Sequence, residues 1–270
     1  MMPKKKLPPI VLIHGAFCGP WSFDEFRKPF EKAGYTVHAP ALRYHDRGPE
    51  PPHALGKVSL LDYASDLENF IARLSETPVL VGHSMGGLLA QMLAARGKAR
   101  ASILLAPSPP WGVWPTTLFE VASAQTLLFS GGDYRGTLIH PSYKIAADHS
   151  LDRLDAAARS AVYARFVPES GQATFEIMNW SFDPRRAGHV PARDVLCPLL
   201  CIAGSDDKIN PPSTVARIAA RYHGRAVFEE VKGHSHWLVG EPGSDKIAAR
   251  AIAWLEDVLA KEPATVKAKR

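Results

Sequence analysis

The segment Gly82-His83-Ser84-Met85-Gly86-Gly87 constrains the fold of this 270-residue chain more than any other stretch. It is entered from an apolar run, Val79-Leu80-Val81, and left through a second one, Met85 to Arg96, which Gly97 closes. The first run has the length of a strand and the second that of a buried helix. A strand that turns into a helix this abruptly forces strained backbone at the serine. It also needs small residues two places before and two after, where neighbouring backbone comes close. The serine hydroxyl then stands at the carboxyl end of a sheet, beside the free N–H groups and positive dipole end of a helix. Gly-x-Ser-x-Gly by itself also occurs in plain turns and around helix-capping serines. With a strand before it and a helix after it, the pattern reads as a nucleophile elbow.

The rest of the chain supplies the sheet that such a turn requires. Ile10–Ile13, Thr36–Ala39, Ala101–Ala106, Leu199–Ala203 and Ala226–Val231 read as short strands. Trp21–Ala33, Asp62–Leu74, Pro212–Tyr222 and Ser244–Leu259 read as helices. Alternation of the two predicts an α/β fold with a mostly parallel sheet covered on both faces. The rhythm breaks between residues 107 and 191, a stretch too long for a plain loop. It is expected to be a helical cap insertion, with Leu151 to Val167 among its helical patches. The core would then comprise residues 1–106 and 192–262, followed by a basic tail at 263–270.

Composition fits one globular domain, with 46% hydrophobic and 22% charged residues. The net charge of +5 sits at the ends: Lys4–Lys6 and the stretch 261–270 carry +3 each, which leaves the body near −1. Such a distribution argues for solubilising tails and against nucleic acid as a partner. No run approaches the ~20 apolar residues of a membrane span, and Leu7–Ile13 is too short and too rich in proline for a signal peptide. Cys18, Cys197 and Cys201 are odd in number and lack zinc-type spacing, which points to reduced thiols and a cytoplasmic setting. A homodimer stays open.

A serine nucleophile needs a base to take its proton and an acid to orient that base. In a fold of this kind the acid follows the serine in the chain and the histidine comes last. After the strand at 199–203 stand Asp206 and Asp207; after the last strand stand His234 and His236. On position alone either member of each pair qualifies. His83 is expected to point away from the nucleophile's partners. Two backbone N–H groups must face the developing oxyanion. Met85, just after the serine, supplies one, and Ala16, in the loop His14-Gly15-Ala16 after the first strand, supplies the other.

These motifs resemble the α/β-hydrolase superfamily: Val11 to Ala16, Gly82 to Gly87, Gly204 to Pro211, and His236-Trp237 with Glu241, in order over essentially the whole chain. His14 to Trp21 is particularly similar to the plant methylesterase and hydroxynitrile lyase branch and to bacterial esterases. The resemblance implies a six-stranded sheet, because little chain precedes the first strand. It favours Asp207, through the pattern Gly204-x-x-Asp207-x-Ile209-x-Pro211, and His236, through Trp237 and Glu241. It implies two-step acyl transfer on a small, partly apolar ester or related acyl compound, with no metal or organic cofactor. Ala16 stands where the lyase branch resembles a hydroxyl residue, which disfavours lyase chemistry. Perhydrolase (haloperoxidase-like) activity, C–C bond hydrolysis and a weakly catalytic ligand receptor are the alternatives on the same fold. The pocket candidates are His14, Phe17, Trp111, Trp114, Trp180 and Trp237, with Phe119 and Phe129 adding apolar surface in the insertion.

Overall fold

The computed structural model describes residues 7–123 and 133–261. Its main sheet contains β1 (Ile10–Ile13), β2 (Val37–His38), β3 (Val79–His83), β4 (Ala101–Leu105), β7 (Leu199–Gly204) and β8 (Ala226–Val231). The strand order is β2-β1-β3-β4-β7-β8, and every neighbouring pair is parallel. This is the six-stranded sheet that the family resemblance implies. The four central strands are fully buried, which explains their unbroken apolar runs. Edge strand β8 is only partly covered and accommodates Glu229 and Glu230.

Strand periodicity divides the interior into two cores. Val11, Ile13, Leu80, Leu104, Cys201 and Ala203 point to one face, where α2 (Leu60–Ile71), α3 (Met85–Ala95) and α6 (Pro212–Ala220) pack. Ile10, Leu12, Val79, Val81, Ile103, Leu200 and Ile202 point to the other, against α1 (Arg27–Lys32) and α7 (Ser244–Lys261). Each fully buried Leu or Ile contributes roughly 1.5–3 kcal/mol, so packing on both faces holds the sheet in place beneath the elbow. Ser59 starts α2 with a capping box closed by Asp62.

The helix expected over Trp21–Ala33 is shorter than its apolar pattern. Pro20–Phe23 forms a 3₁₀ turn, and α1 begins only at Arg27. Pro29 has no N–H to donate and is accommodated only in a helix's first turn, so one helix could not run from Trp21 through it.

Between β4 and β7 the chain forms α4 (Ala156–Tyr163), α5 (Gly171–Met178) and an antiparallel ribbon of β5 (Leu138–Ile139) with β6 (Glu169–Ser170). The ribbon was not expected; its strands are two residues long and carry no periodicity to read. Phe129 and the basic tail at 263–270 lie outside the described residues.

Candidate active site

Ser84 joins β3 to α3 with φ 53° and ψ −120°, a backbone state that L residues rarely hold. Hydrogen bonds on both sides fix it there. Its N–H donates to the Leu105 carbonyl (3.0 Å), and its own carbonyl accepts from Gly87 (2.9 Å) and Ser108 (2.9 Å). The flanking glycines are needed for space: a Cβ on Gly86 would run into the Ile13 carbonyl, and one on Gly82 into the Gly86 carbonyl.

The loops after β7 and β8 bring an acid and a base to this serine. His236 Nδ1 lies 2.9 Å from Asp207 Oδ2, and its Nε2 lies 3.1 Å from Ser84 Oγ. A carboxylate only accepts, so Nδ1 carries the proton and Nε2 presents its lone pair to the serine hydroxyl. Asp207 Oδ1 accepts from the N–H groups of Ile209 (2.8 Å) and Asn210 (2.9 Å), which fixes the carboxylate. Asp207 and His236 are both buried.

The rival residues face elsewhere. Asp206 pairs with Arg153 and accepts from the Ser205 hydroxyl at 2.9 Å. His234 Nδ1 meets Glu241 Oε1 at 3.1 Å. Burial raises the Glu241 carboxyl above its ordinary range. Glu241 also accepts from the Ser235 N–H, at 3.2 Å to each oxygen, and so braces the loop that carries His236.

Met85 opens α3, so its N–H is among those a helix leaves unpaired. The Ala16 loop passes close over the serine: a Cβ on Gly15 would lie 3.1 Å from Ser84 Cβ. Phe17, half-buried and at φ 63°, bends that loop, and its carbonyl accepts from Val167 N–H at 2.9 Å.

Three expectations need correction. His14 is buried, with both nitrogens engaged by backbone: Leu42 N–H donates to Nε2 (3.1 Å) and Nδ1–H donates to the Gly15 carbonyl (2.9 Å). Burial, with His45 adding to it, pushes its pKa down to about 3. His14 is therefore a neutral brace for the loop and not a pocket wall. Trp237 belongs to the core, its ring enclosed by Trp21 (6.0 Å), Phe166 (6.1 Å) and His83 (5.7 Å). His83 does not point away from the base: its ring lies 5.0 Å from that of His236, and its Nε2–H donates to the His236 carbonyl at 2.8 Å.

Trp111, Trp114 and Trp180 gather into one aromatic cluster, with Trp180 at 5.2 Å from Trp111 and 4.9 Å from Trp114. Trp180 is buried, Trp114 is exposed, and Arg186 lies over Trp111. The Phe119 ring packs at a tilt against that of His149, with centroids 4.5 Å apart.

One group had no signal in the sequence. His45 Nδ1–H donates to the Arg43 carbonyl (3.1 Å), and Nε2 meets Glu169 at 3.0 Å. Glu169 also accepts from Tyr63 Oη (2.7 Å) and Ser170 N–H (2.7 Å). Both His45 nitrogens face acceptors, so the imidazole carries both protons and pairs with the carboxylate. The His45 ring sits 5.1 Å from that of His14. Among the described residues, no group of three or more His, Cys, Asp or Glu is placed to hold a metal ion.

The comparisons with known proteins bear on the family and the fold of the chain that carries this arrangement. The model of the alpha/beta hydrolase family matches residues 10–250. This chain belongs to that family. Among curated relatives, a pyrethroid hydrolase of Sphingobium wenxiniae is 36% identical over 85 residues, 32% of this chain and 30% of the relative. The chain thus aligns with less than a third of that relative's length. Two solved structures share the fold. Methylesterase MES16 from Arabidopsis has a TM-score of 0.69 at 15% identity, covering 93% of this chain and 100% of that one. Tomato methylketone synthase I with 2-tridecanone has a TM-score of 0.71 at 18% identity, covering 94% and 100%.

Proposed function

We propose that this family member is a serine hydrolase that cleaves a carboxylic ester, or a related acyl bond, of a small and partly apolar substrate. One observation carries the reading: His236 bridges Ser84 Oγ (3.1 Å) and Asp207 (2.9 Å), with the serine held at positive φ on a helix N-terminus. Ser84 Oγ attacks the ester carbonyl carbon while its proton passes to His236 Nε2. Asp207 holds the imidazolium that forms. The N–H groups of Met85 and Ala16 form an oxyanion hole for the tetrahedral oxygen. His236 then gives its proton to the leaving alcohol, and the acyl-enzyme remains. Water, deprotonated by the same histidine, attacks the acyl carbon and frees the acid.

Residues 107–191 act as the cap in this reading. The Ser108 N–H bonds to the Ser84 carbonyl at 2.9 Å, and only Pro109-Pro110 separates Ser108 from Trp111. The cap's aromatic cluster thus begins beside the nucleophile and supports an apolar acyl or alcohol group. Free Cys18, Cys197 and Cys201 support a cytoplasmic setting, and no described helix is long and apolar enough to cross a membrane.

The test is hydrolysis of p-nitrophenyl esters from acetate to octanoate by the wild type and Ser84→Ala. Turnover that falls by ~10⁴ or more in the variant supports the reading. Equal activity in both proteins would refute it. A folded wild type that binds but does not turn over such esters would point to the receptor, lyase or C–C hydrolase alternatives.

A further inference from the structure

Two consecutive residues of the inserted segment reach the two loops that carry the acid and the base. Asp152 Oδ1 accepts from the Ser235 hydroxyl at 2.5 Å, and Ser235 immediately precedes His236. The Arg153 guanidinium pairs with Asp206, which immediately precedes Asp207. The two loops are already stitched together, because Asp206 N–H donates to the His234 carbonyl (2.9 Å) and Gly233 N–H donates to Ser205 Oγ (2.9 Å). Asp152 and Arg153 close this seam from outside.

The turn that carries them is itself anchored. Leu151 and Leu154 flank the pair and are buried in the same core as Trp237 and Leu238. The Arg159 guanidinium donates to the carbonyls of Leu151 (3.2 Å) and Leu154 (2.9 Å), so both ends of the turn are held by one side chain. Ser235 is fully buried, with its hydroxyl on Asp152 and its N–H on Glu241. A residue gripped at both its hydroxyl and its backbone N–H has one position, and that position sets where the next residue, His236, begins.

We propose that Asp152 and Arg153 are positioning residues for the reaction: they clamp Ser235 and Asp206 so that His236 and Asp207 keep their register with Ser84. Neither touches the reacting atoms. Their loss lets the imidazole drift from the serine, and a misplacement of about 1 Å costs on the order of 10²-fold in turnover. This inference rests on the serine hydrolase reading above.

The experiment compares wild type, Asp152→Ala, Asp152→Asn, Arg153→Ala, Arg153→Lys and Ser235→Ala on p-nitrophenyl butyrate. Rates are normalised to the serine titrated by a fluorophosphonate, so unfolded protein does not count. Asp152→Ala and Ser235→Ala should lower kcat per titrated site about tenfold to a hundredfold, with KM within twofold of wild type. Arg153→Ala should lower it less, because that pair is half exposed, and Arg153→Lys should restore it. Asp152→Asn keeps an acceptor and should fall between Asp152→Ala and wild type. Unchanged kcat per titrated site in Asp152→Ala and Ser235→Ala overturns the clamp while leaving the serine mechanism standing. A wild type that is neither labelled at Ser84 nor active overturns the hydrolase reading, and the clamp with it.

Discussion

His45 and Glu169 form an ion pair at 3.0 Å inside the protein, 124 positions apart in sequence and with neither side chain exposed by more than 1%. Burial opposes charge on both groups, but their mutual attraction and hydrogen bonds outweigh it. The His45 pKa lies above its ordinary 6.5, and that of Glu169 lies below its ordinary 4.5. The histidine's contribution to stability is complete below pH 6.5 and is lost as pH rises through its folded value. The glutamate's is complete above pH 4.5 and is lost as pH falls through its folded value. The pair therefore stabilises most between pH 4.5 and 6.5. Removing one partner of a buried pair costs ~3–5 kcal/mol. We expect Glu169→Gln to lose about that much in urea unfolding at pH 6 and clearly less at pH 8.5. A pH-independent difference would show that the pair is not ionised in the folded state.

The acid and the base can each be distinguished from a neighbour. Asp207→Asn should lower kcat by ~10⁴ with the fold retained, because the imidazole loses the carboxylate that sets its tautomer. Asp206→Asn should leave kcat within the smaller range expected for the Arg153 contact. His236→Ala should be as inactive as Ser84→Ala, while His234→Ala, whose ring bonds to Glu241 at 3.1 Å, should retain most activity. Steady-state kinetics on one activated ester separates these outcomes. Greater loss at Asp206 or His234 would reverse the assignment.

Much of this architecture is written in local patterns. Val79 to Arg96 declares a strand, a turn and a helix at consecutive positions, and burial on both faces leaves the unbroken apolar runs of the central strands as a signature. The site was legible because the acid lies just beyond one such strand, β7, and the base just beyond the last strand, the partly covered edge strand β8. Position alone could not choose between Asp206 and Asp207, since adjacent loop residues differ only in the direction they face. The resemblance favoured Asp207 and His236, and the geometry brings those two to Ser84. What stayed hidden depends on contacts between distant segments. Glu169 meets Tyr63 and His45, and Asp152 meets Ser235, 83 positions away. No spacing rule links such partners. Trp237 misled for a related reason: an aromatic beside a histidine looks like a pocket wall until packing shows its ring enclosed.

Gly86 tests the geometry of the elbow without touching its chemistry. A methyl group there would overlap the carbonyls of Ile13 and His14, both backbone atoms that cannot swing aside. Overpacking in a close-packed interior costs ~1–3 kcal/mol, and more where backbone must move. We expect Gly86→Ala to lose at least ~3 kcal/mol in chemical denaturation and, where it still folds, to lose activity because β1 and the Ala16 loop shift from the serine. Near wild-type stability and kcat would mean that α3 does not approach β1 this closely.

His83 gives the most direct reading of a buried neutral group. Its Nε2–H donates to the His236 carbonyl at 2.8 Å, which leaves Nδ1 buried and without a hydrogen-bond partner. Burial, reinforced by the neighbouring His236, pushes its pKa from 6.5 down to about 3. The unfolded chain takes up a proton on this ring near pH 6.5, whereas the folded protein resists it until about pH 3. Stability must therefore fall on acidification through that window, by up to ~1.4 kcal/mol per pH unit for this one site. His83→Gln keeps a donor for the His236 carbonyl and cannot titrate. Its unfolding free energy, measured in urea from pH 6 to pH 4, should be flatter than that of wild type by about 1 kcal/mol per unit. His14, also held near 3, keeps the remaining slope from vanishing. Parallel slopes for the two proteins would mean that His83 accepts its proton in the folded state at an ordinary pH, and that burial does not hold this ring neutral.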